Sequence, residues 1–285
     1  MLELNLVNLE SSDIKYKISK FPDGQQDVII TSTNLDIVSS INEVLIKSRF
    51  NNFKDLELIL CATKALRNMQ INLIHLHTPY ILGARSDRQF VEGGTSYLRD
   101  VVAPILNAQN YVTVSCIDAH SDVAAACINN LKVNDNSSFI KLALTKNGKN
   151  INEFILVSPD AGALKKIYNL GEKLEYSGEM LIASKHRDVK TGKILSTHVP
   201  LKSGEHMHNN FLIVDDICDG GRTFIEIAKA IQSVRPNAEI SLAITHGVFS
   251  AGLLSLNQYF EHIYCTNSVS DLNIYENFIT QITVF

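Results

Sequence analysis

FLIVDDICDGGRTF, residues 211–224, runs from four apolar residues through three aspartates and two glycines to an arginine and a threonine. Four apolar residues without polar alternation read as a strand buried on both faces. Beyond them Phe224, Ile227, Ala228, Ile231 and Val234 recur at three- and four-residue spacing, the single stripe of a helix packed on a sheet. A buried strand that turns straight into a packed helix is the unit of an open α/β sheet, where ligands sit outside the carboxyl ends of the strands. That puts Asp215 and Asp216 at such an end. The loop of Asp219, Gly220, Gly221, Arg222 and Thr223 then opens a helix whose unpaired N–H groups suit a phosphate. The two halves ask for different chemistry, because the acids repel the anion that the loop attracts. A sugar phosphate satisfies both: the aspartates bond ribose hydroxyls, or orient metal-bound water, while the loop takes the phosphate. The plainer alternative is an acidic turn with Asp219 as the helix cap.

The same grammar repeats along the chain. Strands are expected at DVIITST (27–33), INLIHLH (71–77), YVTVSCID (111–118), FILVSPD (154–160), EMLIAS (179–184), EISLAIT (239–245) and HIYCTNS (262–268). Helical spacing marks LELILCATKALRNM (56–69), TSYLRDVVAPILNAQ (95–109) and AGALKKIYNLG (161–171). Alternating strands and helices point to parallel βαβ units and an α/β fold. The polar stretch NNLKVNDNSS (129–138) divides the strands into two comparable groups, giving expected domains at 1–133 and 134–285. A second polar stretch, 185–210, is long for a connection and is expected to close over a ligand.

Composition narrows the partners. A net charge of −4 and a pI near 6.1 provide no basic field for nucleic acid or an anionic membrane, which leaves small molecules. The N-terminus has no positive flank with an apolar segment, and no stretch approaches the roughly 18 apolar residues of a membrane span, so a soluble, cytoplasmic protein is expected. Cys61, Cys116, Cys127, Cys218 and Cys265 are scattered without a CxxC pair, which disfavours a disulfide framework or a zinc site.

Other motifs are ambiguous one at a time. VSPDAGALKK ends a strand with Asp160 and a small-residue turn, which helix capping alone could explain. SCIDAH places Asp118 and His120 two apart, on one side by strand alternation, suiting a metal, a phosphate or a hydrogen-bonded structural histidine. ILGARSDRQF offers Arg85 and Arg88 around Asp87 as a polyphosphate contact or as a solvated ion pair. SKHRDVKTGK brings Lys185, His186 and Arg187 to the mouth of the long loop, where cations could swing over a transferring phosphoryl group. ITHGVFSAG sets His246 after a strand, and HMH at 206–208 is too isolated for a metal centre.

Taken in order, FPDGQ, PYILGARSDR, CIDAH, VSPDAGALKK, KHR, VDDICDGGRT and THGVFS resemble the ribose-phosphate pyrophosphokinases, from about residue 20 to residue 268. That resemblance implies two phosphoribosyltransferase-like domains, each a mainly parallel sheet flanked by helices, with the active site between them. It implies transfer of the β,γ-diphosphate of ATP to the C1 hydroxyl of ribose 5-phosphate, with AMP leaving and Mg2+ required. Carried over position by position, Phe21, Asp23 and Gln25 fall where family members contact ATP from a neighbouring subunit, implying a homo-oligomer. Arg85 matches an ATP-contacting arginine, His120 and Asp160 the residues tied to magnesium, and Lys185 and Arg187 the K-x-R of a mobile catalytic loop. Asp215, Asp216 and the loop Asp219, Gly220, Gly221, Arg222 and Thr223 match the ribose-phosphate site.

The chain also departs from the family. Its phosphate loop has Arg222 where D-T-x-G-T has glycine, Ser86 stands for a usual glutamine and Gln25 for a usual glutamate. The first βα unit and last helix of the family are expected to be lacking. An added guanidinium at the phosphate pocket suits a larger acceptor such as ADP-ribose, whose pyrophosphorylated product would serve NAD metabolism. A type I phosphoribosyltransferase, or a catalytically silent regulatory homologue, are the rival expectations.

Overall fold

A computed structural model describes residues 1–31, 42–187, 194–201, 209–272 and 277–285, with the backbone alone for 185–187 and 194–195. Two compact units divide it, 1–134 with 284–285 and 135–283.

The first unit is built on a parallel five-stranded sheet in the order β1-β4-β5-β6-β7. Its strands are β1 (Leu2–Asn5), β4 (Glu43–Lys47), β5 (Leu73–His77), β6 (Thr113–Ile117) and β7 (Leu131–Asn134), and β2 (Tyr16–Lys20) and β3 (Gln26–Ile30) lie between β1 and β4 in the chain. The expected strand at 27–33 is therefore real over its first residues, but it pairs antiparallel with β2 as a separate hairpin. No helix intervenes between β1 and β2. Strands β1, β4 and β7 were not expected. In β4 only Val44 and Ile46 are buried, and β7, at the sheet edge, buries none of its residues fully. Edge strands read as polar sequence because one rim and part of each face meet water, so the 129–138 stretch contains a strand as well as the change of unit.

Helix Phe53–Asn68 starts at Asn52, whose side chain accepts from the amides of Lys54 and Asp55. The helix expected over 95–109 is broken into a π-turn, Leu98–Val102, and a short α-helix, Ala103–Asn107. Pro104 has no N–H for the carbonyl four residues back, and the wider i→i+5 turn lies immediately before it.

The second unit carries a parallel six-stranded sheet ordered β15-β14-β13-β12-β8-β9. These are β8 (Ile155–Ser158), β9 (Met180–Ile182), β12 (Asn210–Cys218), β13 (Glu239–Gly247), β14 (His262–Thr266) and β15 (Ile279–Ile282). Between β9 and β12, β10 (Ser184–Arg187) and β11 (Ile194–His198) form their own antiparallel pair. Alternation sorts the central residues. Phe211 and Ile213 join Phe224, Ile227, Ala228 and Ile231 of helix Arg222–Val234 on one face. Leu212 and Val214 join Phe139, Ile140 and Leu144 of helix Ser137–Lys146, with Ile167 and Leu170 of helix Leu164–Lys173, on the other. Burial on both faces is what made this strand an unbroken apolar run. The helix stripe stops short of Val234, which is 37% exposed.

This sheet has a point where its order reverses. The chain leaves β8 for β9 on one side, and leaves β12 for β13, β14 and β15 on the other. Helices after β8 and β12 correspondingly pack on opposite faces. Such reversals open the crevice in which α/β sheets bind ligands. All five cysteines are free, and no helix among the described residues is long and apolar enough to cross a membrane.

Candidate active site

At the reversal, β12 runs further than β8. Their pairing ends with Ile213 opposite Val157, whereas β12 continues against β13 as far as Cys218 opposite Gly247. Asp215 and Asp216 thus lie inside β12, four and three residues short of Asp219, on the stretch that has outrun β8. This corrects the expected position at the strand's end: the carboxylates stand on a ledge. Asp216 is buried at 4% exposure. Its Oδ2 meets Lys166 Nζ at 3.2 Å, and its Oδ1 accepts from the amide of Ile217 at 3.0 Å. Asp215 is half-buried, and its Oδ1 accepts from the amide of Asp216 at 2.9 Å. Burial pushes the Asp215 carboxyl well above its usual range, the charge of Asp216 adds to this, and Asp160 contributes in the same direction.

Past Cys218 the loop enters helix Arg222–Val234 through Gly221 at φ +78, with no side-chain cap. Glycine is needed there twice over: the backbone is left-handed, and a Cβ would lie 2.7 Å from Leu256 Cδ2. Gly220 differs, since its nearest neighbours to a Cβ would be Ala251 and Ser250 at 3.8 and 3.9 Å. Asp219 is not the helix cap. Its Oδ1 accepts from the Ser250 hydroxyl, and its carbonyl from the Ser250 amide at 3.2 Å. Val248 and Phe249 donate their amides to the Cys218 carbonyl at 2.9 and 3.1 Å, so the segment after β13 clasps the loop after β12. His246 is buried and bonded through Nδ1 to Ser268 Oγ at 2.8 Å, a structural role. The outcome is an exposed Arg222, a half-buried Thr223 and open helix amides beside an acidic ledge.

The turn after β8 uses its aspartate differently. Asp160 is exposed, and its Oδ1 accepts from the amides of Gly162 and Ala163 at 3.0 and 3.2 Å. Ser158 Oγ donates to the Asp160 carbonyl at 2.7 Å. Lys185 and Arg187 lie on β10, paired with Thr197 and Ile194 of β11 around a bulge. Within the expected closing loop, 188–193 and 202–208, which contain HMH at 206–208, lie outside the described residues.

In the first unit, Phe21, Asp23 and Gln25 form the tip between β2 and β3. The Phe21 amide donates to the Gln25 carbonyl at 2.8 Å and the Gln25 amide to Asp23 Oδ1 at 3.1 Å. Gln26 ties this hairpin to helix Phe53–Asn68 through Glu57 Oε1 at 3.1 Å. Phe21 is left 49% exposed. The loops after β5 and β6 meet: Ser121 Oγ donates to Asp87 Oδ2 at 2.5 Å, and Arg88 Nε to Asp87 Oδ1 at 3.3 Å. Burial raises the Asp87 carboxyl, but Ser121 and Arg88, with His120 nearby, outweigh it and hold the group below its ordinary value. Arg85 and His120 are exposed on these loops. Asp118 and His120 lie past the strand whose alternation was expected to align them, and Asp118 is buried where His120 is exposed. Strand β6 ends at Ile117, and Asp118 takes φ +48, which breaks the period-two rule and buries it.

The structure therefore gathers Asp160, Asp215, Asp216 and the 219–223 loop around one sheet reversal. His120, Arg85 and the Phe21 hairpin belong to the other unit. Lys166 and Ser250 were not anticipated as site residues, because each is defined by a partner far along the chain. Among the described residues no group of three or more His, Cys, Asp or Glu converges as a metal cage.

Comparison with known proteins gives a family model, curated relatives and a solved structure to which this chain is similar. The phosphoribosyl transferase domain family matches residues 133–267. Ribose-phosphate pyrophosphokinase of Thermosipho africanus is 28% identical over 267 residues, spanning 92% of this chain and 80% of its own. The enzyme of the same name from Sulfurisphaera tokodaii is 26% identical over 271 residues, spanning 93% and 87%. The crystal structure of phosphoribosylpyrophosphate synthetase from Mycobacterium smegmatis matches with a TM-score of 0.75 at 18% identity, covering 97% of this chain and 88% of that one. At that identity the structural likeness speaks for the fold.

Proposed function

We propose that this chain, a divergent relative of the ribose-phosphate pyrophosphokinases, moves the β,γ-diphosphate of ATP to the C1 hydroxyl of a ribose 5-phosphate, releasing AMP. The observation that carries this is the acidic ledge of Asp215 and Asp216 leading, within one strand-turn-helix, to open helix amides at Gly221, Arg222 and Thr223. Carboxylates accept hydrogen bonds from sugar hydroxyls, and helix N-termini hold phosphate, so the unit fits a sugar phosphate end to end. The Asp215–Asp216 pair serves the ribose, and Asp219, Gly220, Gly221, Arg222 and Thr223 surround its 5-phosphate. Arg85 takes the ATP polyphosphate, while Phe21, Asp23 and Gln25 serve the ATP of a neighbouring copy in a homo-oligomer. The first unit, 1–134 with 284–285, is then the ATP side and 135–283 the acceptor side, a shift of one residue from the expected boundary at 133/134 with the last two residues exchanged.

Lys185 and Arg187 meet the negative charge that develops during transfer. Diphosphoryl transfer needs little covalent help from protein; alignment and countercharge supply most of the rate. The donors present fit a hard cation: Asp160 is exposed, and magnesium is ordinarily held by one or two carboxylates with substrate phosphates completing its shell. Asp160 would hold it on the acceptor side, with His120 the residue assigned to it on the ATP side, and when bound Mg2+ would neutralise charge on the polyphosphate.

A larger acceptor is the second reading. Arg222 is exposed at the helix start, and a guanidinium there suits a second phosphate such as that of ADP-ribose. AMP release from ATP and Mg2+ with ribose 5-phosphate or ADP-ribose tests both. Turnover with ribose 5-phosphate supports the first, and a preference for ADP-ribose the second. Pyrophosphate chemistry with a base and no ATP would indicate a type I phosphoribosyltransferase, and acceptor binding without turnover a regulatory homologue.

A further inference from the structure

The two neighbouring aspartates face opposite sides of β12. Phe211 and Ile213 point to the face covered by helix Arg222–Val234, and Leu212 and Val214 to the face covered by helix Leu164–Lys173. Continuing the alternation, Asp215 shares its face with the helix whose N-terminus forms the phosphate loop, and Asp216 turns to the other. Lys166, in the first turn of helix Leu164–Lys173, reaches Asp216 there. The carboxylate is thus engaged on both oxygens, by Lys166 Nζ at 3.2 Å and by the Ile217 amide at 3.0 Å. Its burial at 4% exposure contrasts with half-buried Asp215.

We infer that Lys166 is a positioning residue for the acceptor: it fixes and neutralises Asp216 on the far face of β12, leaving Asp215 as the carboxylate that meets the ribose hydroxyls. This rests on the acceptor assignment above and divides its acidic pair into two unlike parts. Without Lys166 the buried Asp216 charge loses the ammonium that stands 3.2 Å from Oδ2. It then acts at short range on Asp215 and on the anion entering the neighbouring loop. ATP, bound through other residues, should feel much less of this.

The test is a double-mutant cycle on acceptor binding and turnover. Lys166→Met should raise the ribose 5-phosphate Kd and KM about tenfold while kcat and the ATP KM stay within about twofold. Lys166→Arg, which keeps the charge, should restore most of the loss. In an Asp216→Asn background, where no charge needs neutralising, Lys166→Met should change acceptor affinity by less than about twofold. Should Lys166→Met unfold on its own, the double variant and Lys166→Arg still carry the comparison, since the first removes the buried charge and the second keeps a cation beside it. Equal loss for ATP and acceptor, no rescue by arginine, or an undiminished effect in the Asp216→Asn background would each overturn the proposal. Direct binding separates it from the reaction assignment. Wild-type protein that binds ribose 5-phosphate without releasing AMP refutes the reaction while the cycle is still read from Kd; protein binding neither ribose 5-phosphate nor ADP-ribose refutes both.

Discussion

The turns after β8 and β12 are written in the same grammar, strand, aspartate, small residues, helix, and they put it to opposite uses. After β8, Asp160 folds back on its own turn and occupies the amides of Gly162 and Ala163. After β12, Asp219 is drawn away to Ser250, and Gly221 begins its helix without a side-chain cap. One turn is closed by its own acid and the other is not, although neither following helix has a side-chain cap. An aspartate before a helix therefore does not indicate capping by itself; what competes for its carboxylate decides.

If the open turn binds the acceptor without driving the chemistry, the largest kinetic loss should come from neither turn. Lys185→Ala is expected to lower turnover by about two to three orders of magnitude with acceptor KM changed only a few-fold. Steady-state kinetics checks this, and a loss confined to KM would move Lys185 into the binding site. The next effect separates the turns by backbone. Gly221→Ala should cost about 2 kcal/mol in urea unfolding, since it combines a left-handed residue with the 2.7 Å approach to Leu256. Gly162→Ala, with Asp160 Oδ1 at 3.2 Å and no left-handed backbone, should cost less than about 1 kcal/mol. Similar costs at both would erase the contrast.

Asp215 sets the ledge apart from the Asp160 turn by titration. Its folded-state carboxyl, raised by burial and by Asp216, binds a proton more tightly than the unfolded chain does. The associated penalty is absent below the ordinary aspartate range, near about pH 4, and grows as pH rises toward the raised folded value. Asp215→Asn should therefore melt higher than wild type at neutral pH, by about 1 kcal/mol, with the gap narrowing as pH falls, while acceptor KM rises about tenfold. A gap that widens on acidification would contradict a carboxyl raised in the folded state. The smallest change belongs to the closed turn. Asp160→Asn keeps an oxygen for the Gly162 and Ala163 amides, so stability should stay within about 0.5 kcal/mol while the magnesium concentration for half-maximal turnover rises a few-fold. Unfolding and magnesium titrations measure the two parts separately.

Legibility followed burial and separation along the chain. Strands β8, β12, β13 and β14 are buried on both faces, which compresses their apolar residues into runs that stand out. Strand β4 alternates, and β7 shows water its edge, so neither concentrates enough apolar signal. The hairpin strand at 26–30 was visible, but its partner and its antiparallel sense were not, because pairing is a relation between segments. The same holds in the site. Asp215 through Thr223 could be read together because they are contiguous. Lys166 and Asp216 are 50 residues apart, Ser250 and Asp219 31, and Ser121 and Asp87 34, with no periodicity linking them.

The sequence by itself determined the α/β class, the strand-turn-helix at 211–234, the acid-then-glycine order of its loop and the ordered motifs behind the family resemblance. These depend on local period and on residue chemistry, which survive without coordinates. Tertiary structure alone decided that the order of the second sheet reverses between β8 and β12, that β12 outruns β8, and that its paired aspartates face opposite ways. It also decided which aspartate closes a turn and which is drawn off to leave one open. Each of these turns on what a long-range neighbour supplies: a strand that ends early, a lysine across the sheet, a serine from the following loop.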